Sequence, residues 1–243
     1  SLLVTDTRGN HVDLPPNVRI YMMAGTTHDE QPGTVSRRIE AASLPTNPLH
    51  NGPPMRALFV AMETWLAEGV EPPSSRVPMR AHGTLVPAAQ AMPVGIPGLP
   101  YRGIHTAAAF SDQSVLPPRE IGRYPVYVPR LDADGIAIAG VHSVPVAVPR
   151  ATYTGWNPRA EGFGPAALYP LQGAVVPFAA TREQRLAASD PRLSLAERYP
   201  DEQAYLAAVR RAADELQAER LLLPADAQML LARAAAGKLD GLH

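Results

Sequence analysis

The sequence predicts an α/β protein in which one strand leads into a histidine-bearing loop and then into an amphipathic helix. Three observations support this prediction. Residues 18–24 are mostly apolar and too few for a helix. His28 follows in a polar stretch, and apolar residues then recur at helical spacing from residue 55 to residue 66. A proline-rich extension and a set of C-terminal helices complete the predicted order.

The first element is a predicted buried strand over residues 18–24, which Gly25 ends. The polar residues after Gly25 put His28 on a loop at the carboxyl end of this strand, the edge where ligands bind in open α/β sheets. An imidazole titrates near neutral pH and can move a proton in catalysis. The alternative is a solvated loop histidine without a chemical role.

The second element is a helix with clear signals at both ends. Pro53 and Pro54 suit its first turn, because the N–H that proline lacks would be unpaired there. Gly69 ends the helix, and the prolines at positions 72 and 73 prevent its continuation. The apolar residues that define its stripe are Met55, Leu58, Phe59, Met62, Trp65 and Leu66.

Proline divides the chain into three segments. The 27 prolines are about twice the usual share of 5% and concentrate between Pro72 and Pro177. This stretch predicts extended chain, turns and short strands, since proline cannot donate to a ladder; intrinsic disorder is the alternative. We therefore expect the end of a core at residues 1–72, a proline-rich extension at 73–180 and a helical segment at 181–243.

One β-hairpin is predicted inside the extension. Residues 124–131 and 136–141 form its arms, and residues 132–135 form a turn in which Gly135 adopts a positive φ. The two aspartates of the turn also suggest a calcium loop. The further oxygen ligands and the later glutamate of such a loop are missing from the sequence, which favours a simple turn.

The stretch 153–157 carries two candidate substrate-binding residues. Tyr153 and Trp156 flank Gly155, and aromatic rings in a pocket combine apolar area with a polar group. The alternative is that Trp156 only packs at the base of the irregular region, and the residues themselves favour it.

The C-terminal segment predicts helices that serve as scaffold. Ser194 and Glu197 form a capping-box pattern, residues 201–219 predict the longest helix, and Pro224 begins another helix that Gly237 ends. The apolar stripe of the longest helix consists of Tyr205, Leu206, Val209, Ala213 and Leu216.

Composition excludes several classes of function. The net charge is −1 and the basic residues are scattered, so neither nucleic acid nor an anionic membrane is an expected partner. The chain has no cysteine and no run of 18 apolar residues, so it offers no thiolate metal site and no membrane span. No cofactor is expected, and the compartment is not indicated.

Short stretches spread in order over most of the chain point to a family. They are residues 16–21, 24–26 and His28; 47–49 and 56–58; 148–149 and 151–157; 177–179 and 181–182; 190–192, 194–195 and 197–199; and 219–220 and 222–224. This ordered set resembles the bacterial alpha/beta hydrolase domain-containing proteins. The resemblance implies a serine hydrolase fold whose last core strand, histidine loop and last core helix lie in residues 1–72. It also places the triad histidine at His28.

The sequence departs from a complete hydrolase in one respect. It contains no G-x-S-x-G elbow, and in this family the nucleophile and the acid lie upstream of the matched region. The chain also begins at Ser1, directly in a strand-like run. We therefore expect the C-terminal part of a larger protein, either a proteolytic fragment or one chain of a cleaved pair, that is poorly soluble alone or bound to its partner segment.

Assembled with that upstream segment, the chain is expected to hydrolyse a small-molecule ester or related acyl substrate. His28 would take the serine proton and return it to the leaving group, and the extension would cover the active site or build its walls. The rival hypothesis is a binding or assembly module, or a hydrolase relative with a lost triad.

Three other chemical roles for residues near the start of the chain remain open. A metal site could be formed from His11, Asp13, His28, Asp29 and Glu30, although their spacing matches no paired-ligand pattern. Asp29 or Glu30 could orient His28, but a side chain rarely reaches back to the ring of an adjacent residue. Ser1 could act as an N-terminal nucleophile with its own amine as base.

Overall fold

The computed structural model of the chain describes residues 3–28, 35–91, 95–100, 108–164, 167–169 and 171–242. Helices and strands are mixed along this part of the chain, as the α/β prediction requires. The helices are α1 (Gly52–Glu68), α2 (Val144–Ala147), α3 (Arg182–Ala187), α4 (Leu195–Arg198), α5 (Glu202–Ala218) and α6 (Pro224–Ala235). The strands are β1 (Leu85–Pro87), β2 (Ala109–Asp112), β3 (Arg119–Arg123), β4 (Tyr127–Pro129), β5 (Ala151–Tyr153), β6 (Asn157–Pro158), β7 (Leu168–Tyr169) and β8 (Val175–Pro177).

The strands pair two by two in antiparallel ladders: β1 with β4, β2 with β3, β5 with β8 and β6 with β7. Proline limits their length. Pro87 lies opposite Tyr127 in one ladder and Pro177 lies opposite Ala151 in another, and neither proline can donate a ladder hydrogen bond. The proline-rich stretch therefore holds short strands and turns.

The segment 18–24 is extended but lacks a continuous ladder in the described part of the chain. It makes isolated parallel bridges, Tyr21 with Arg76 and Met23 with Val141. The prediction of a fully buried strand over residues 18–24 was wrong, because only Ala24 is buried and the other residues are half-buried. The bridges stay isolated because prolines lie three residues before and two residues after Arg76, and because α2 begins three residues after Val141.

Helix α1 begins and ends where its signals predict. Two prolines occupy its first turn, and Gly69 caps it in the left-handed region with its N–H donating to Trp65 O at 3.0 Å. Its packing differs from the expectation for an amphipathic helix. The inward face is formed by Pro53, Pro54, Ala57 and Ala61, while Phe59 and Leu66 are 60% and 81% exposed. Small side chains hold α1 close to the protein, while Met55, Phe59, Met62 and Leu66 face outward.

The predicted hairpin is present only around its turn. Asp132 N–H donates to Ile136 O at 2.8 Å, and Gly135 adopts φ +76°, which suits glycine. Beyond the bridge between Leu131 and Ala137 the arms separate. The first arm contains β4, which pairs with β1, and the second arm ends at Val141, which pairs with segment 18–24. Each arm therefore finds a distant partner.

The C-terminal helices form as predicted and carry the larger core. Ser194 and Glu197 make a capping box at α4, and Asp201 caps α5. The prediction that residues 201–219 form the longest helix is confirmed in extent, although α1 equals α5 at 17 residues. The core contains Val141, Val144, Val148, Val209, Ala212, Ala213, Leu216, Leu221, Leu222, Ala227, Leu230, Ala234 and Leu239.

A buried ion pair joins this helical part to the β5–β8 ladder. Arg192 and Asp190 meet at 2.6 Å, and their side chains are almost completely buried. The Arg192 guanidinium also donates to Thr152 Oγ1 at 2.8 Å and to Val176 O at 2.9 Å. These bonds satisfy the buried cation and fix both strands beside the site described below. No helix in the described residues is long and apolar enough to cross a membrane.

Candidate functional site

A cleft of about 720 Å³ lies at the carboxyl end of segment 18–24. Its volume falls within the range of small-molecule sites, about 300–1,000 Å³. Distant parts of the chain build it. The described residues that line it are Leu3, Met22, Met23, Ala24, Gly25, Thr26, Ala91, Leu99, Ala108, Tyr124, Pro125, Val126, Tyr127, Val128, Pro129, Leu131, Gly135, Ala137, Tyr153, Thr154, Gly155, Trp156 and Leu168.

His28 lies on the loop that begins in this wall. Gly25 and Thr26 line the cleft, Thr27 is buried, and His28 is exposed. Within the described residues, neither a serine nor a carboxylate hydrogen-bonds to the His28 ring. The proposed orienting residues Asp29 and Glu30, and the alternative nucleophile Ser1, lie outside the described residues.

Asn47 ties the histidine loop to the aromatic stretch that carries Tyr153 and Trp156. Its side-chain amide donates to Gly25 O at 2.9 Å and to Thr154 O at 3.0 Å, and its carbonyl oxygen accepts from Leu49 N at 3.0 Å. Asn47 is buried, so these bonds replace water completely. The sequence analysis includes Asn47 only in a short stretch that resembles the family, because a contact made 107 residues along the chain leaves no local signal.

Thr154 fixes the aromatic stretch to Ala174, the residue that precedes β8. Its N–H donates to Ala174 O at 3.0 Å, and its hydroxyl accepts from Ala174 N at 2.9 Å and donates to Trp156 O. Gly155 then passes so close to the histidine loop that an added Cβ would lie 3.0 Å from Thr26 O. The two sequence-predicted regions are therefore neighbours in space.

Tyr153 and Trp156, the candidate substrate-binding residues, both belong to the cleft wall. Trp156 is half-buried, whereas Tyr153 is only 1% exposed. The Tyr153 hydroxyl has no hydrogen-bond partner among the described residues. Burial raises the pKa of the Tyr153 phenol well above its usual range, and the nearby Asp240 carboxylate adds to this effect. The phenol therefore stays neutral.

The candidate metal-binding constellation is not assembled in the described part of the chain. His11 Nε2 lies 3.1 Å from Asp13 Oδ1 on the surface, which accounts for two of its members. Within the described residues, no group of three or more His, Cys, Asp or Glu side chains could hold a metal ion.

These features define a mixed α/β protein with a histidine loop beside a ligand-sized cleft. The chain belongs to the alpha/beta hydrolase domain family, whose model matches residues 1–232. This confirms the family resemblance drawn from the sequence, and membership indicates a hydrolase type of function. No curated protein and no solved structure matches the chain.

Proposed function

We propose that His28 is the general base of a serine hydrolase that acts on an ester or a related acyl substrate. The observation that carries this proposal is the position of the histidine loop. Its first residues, Gly25 and Thr26, line a cleft of ligand size in a chain of the hydrolase family. An exposed imidazole on this loop is accessible to a substrate and to a nucleophile from another segment.

In the proposed reaction the imidazole of His28 accepts the proton of the attacking serine hydroxyl. It then returns this proton to the departing alcohol oxygen, and water repeats the cycle to release the acid. Backbone amides would stabilise the oxyanion. We assign the serine, the acid and these amides to another segment of the same protein or to a partner chain, since residues 1–243 contain no G-x-S-x-G elbow.

We further propose that Tyr153 and Trp156 contact the bound substrate. Both belong to the wall that faces the histidine loop, and Asn47 and Thr154 hold that wall in place. The half-buried ring of Trp156 would offer most of the aromatic surface to the substrate, since Tyr153 is only 1% exposed. The chemistry would take place at the end of the cleft nearest to His28.

The test uses the protein as it occurs naturally, with any segment or chain that accompanies these 243 residues. The rate of hydrolysis of 4-nitrophenyl butyrate and labelling by a fluorophosphonate probe are measured for the wild type and for His28→Ala. We expect both to fall by about 10²- to 10⁴-fold, because a positioned general base contributes this much. His82→Ala removes another exposed histidine and is the matched control.

Each outcome of this test has a clear meaning. Loss of both readouts in His28→Ala, with normal rates in His82→Ala, supports the proposal. Wild-type rates of hydrolysis and labelling in both variants exclude His28 as the base. A wild-type protein that binds a ligand but neither hydrolyses the ester nor takes the probe is a binding module. Labelling on Ser1 identifies the N-terminal nucleophile instead.

A further inference from the structure

We infer that the cleft selects a neutral, apolar acyl or alcohol group and rejects a charged one. This inference rests on the proposed hydrolase function, since it names the class of substrate for the same site. It depends on the charge of the side chains in the cleft wall, which none of the sequence predictions addressed.

The described part of the cleft wall is mostly apolar and carries no charged side chain. Of its 23 described residues, none is an aspartate, glutamate, lysine, arginine or histidine. Alanine, leucine, valine, proline and methionine make up most of it. A carboxylate or ammonium group that entered would lose its water without gaining a counter-ion, which is strongly unfavourable.

The few hydroxyls in the wall are already engaged with backbone. Thr26 Oγ1 donates to Met23 O at 3.1 Å, and Thr154 Oγ1 donates to Trp156 O. Both protons are therefore used within the protein. The remaining polar side chains of the wall are the phenols of three tyrosines and the indole of Trp156, which belong to amphipathic rings rather than to charged groups.

Two further aromatic rings belong to the same wall. Tyr124 and Tyr127 come from the segment that includes β4, and both are half-buried. The Arg80 guanidinium lies 4.6 Å from the centre of the Tyr127 ring, but Arg80 is not among the residues that line the cleft. This cation therefore contacts a ring of the wall without adding a charge to the described lining of the cleft.

The first experiment compares two esters that differ only at the far end of the acyl chain. The natural protein is given 4-nitrophenyl hexanoate, which ends in a methyl group, or mono-4-nitrophenyl adipate, which ends in a carboxylate. We expect kcat/KM to favour the hexanoate by more than about 100-fold because the carboxylate would be buried unpaired. From acetate to hexanoate, kcat/KM should rise about three- to fourfold per methylene.

A charge introduced into the wall provides the matched variant. Val126 is half-buried in the cleft, so Val126→Lys can place an ammonium group there while reaching solvent. In this variant we expect the ratio of kcat/KM for the hexanoate to kcat/KM for the adipate to fall by at least tenfold. Equal rates for the two esters in the wild type, or no gain with chain length, would overturn the inference.

A binding measurement separates this inference from the hydrolase proposal. Calorimetric titration compares 4-phenylbutanamide with 4-phenylbutanoate, neither of which is hydrolysed by the proposed route for esters. We expect the amide alone to bind, with weaker binding in Trp156→Ala and unchanged binding in Trp65→Ala. If the amide binds but no ester is cleaved, the hydrolase proposal fails and the selectivity stands. If esters are cleaved with a preference for the adipate, the selectivity fails.

Discussion

At the scale of single residues, Asn47 positions two parts of the candidate site through its side-chain amide. It joins the backbone of Gly25 to that of Thr154, and so sets the distance between the histidine loop and the wall that carries Trp156. Asparagine is suited to this position because one end of its amide donates and the other accepts. Both carbonyl groups need a donor, and Leu49 N needs an acceptor.

The first residue-scale prediction concerns replacement of Asn47. Asn47→Ala leaves buried carbonyls unpaired and is expected to lower the free energy of unfolding by about 1–3 kcal/mol. Asn47→Asp should lower it further, because a carboxylate would face two carbonyl oxygens. Denaturant unfolding measures the change. Asn17→Ala, at an exposed position, should stay within about 0.5 kcal/mol of the wild type. An equally mild effect at Asn47 would show that it does not hold the loop.

The sequence alone predicts His28, Tyr153 and Trp156 as candidate site residues, because each has a local signal. His28 follows an apolar run, and the two aromatic residues flank a glycine. The cleft itself could not be predicted, since its wall combines segments that lie more than 100 residues apart. The same holds for Asn47, whose partners are 22 and 107 residues away.

At the scale of elements, helices α3 and α4 depend on one shared carboxylate. Glu197 completes the capping box of α4 by accepting from Ser194 N at 2.9 Å. The same side chain receives two hydrogen bonds from Arg185 of α3, at 2.6 and 2.8 Å. These bonds from Arg185, followed by those from Ser194, hold the pKa of Glu197 well below its usual range. The two short helices are thus joined where neither would persist alone.

This arrangement predicts a specific dependence of stability on pH. The folded-state pKa of Glu197 is lowered, so its stabilising effect is complete above the unfolded carboxyl pKa of about 4.3. The effect is lost as the pH falls through the folded-state pKa. We expect Glu197→Gln to lower Tm at pH 7 and this difference to shrink below about pH 4. Thermal unfolding at pH 7, 5 and 3 measures it.

The control for this experiment is Glu202→Gln. Glu202 is an exposed acidic residue in the first turn of α5. The Glu202→Gln substitution should change Tm little at any of the three pH values. A difference between Glu197→Gln and wild type that stays constant from pH 7 to pH 3 would contradict the role of the carboxylate charge.

The elements also show where prediction from sequence succeeds. Helices α1, α4, α5 and α6 begin at the predicted prolines or capping residues, because these signals are local. Strand partners are not local. β4 pairs with β1 some 40 residues away, and the arm that was expected beside it turns to segment 18–24. Pattern alone could therefore predict the hairpin turn but not the ladders around it.

At the scale of the whole molecule, the outward face of α1 departs from an ordinary protein surface. Met55, Phe59, Met62 and Leu66 follow one another at spacings of four, three and four residues, and all are exposed. This spacing places them in a single stripe along the helix. Contiguous apolar stripes of this kind are uncommon on monomeric proteins and promote association. The sequence predicted that this chain alone would be poorly soluble. The stripe offers a structural reason for such behaviour, because it exposes apolar side chains through which copies of the chain can associate.

We predict that the 243-residue chain alone associates through this stripe and that Phe59→Lys with Leu66→Lys abolishes the association. Both positions are exposed, and each lysine would lie within three or four residues of Glu63, so the variant should keep its Tm within a few degrees. Sedimentation velocity over a range of concentrations measures the association. Ala61→Lys is the contrasting control on the same helix, because it would bury an ammonium group and should lower Tm markedly. A wild-type chain that stays monomeric at high concentration, or a double variant that still associates, would show that the stripe is not the cause.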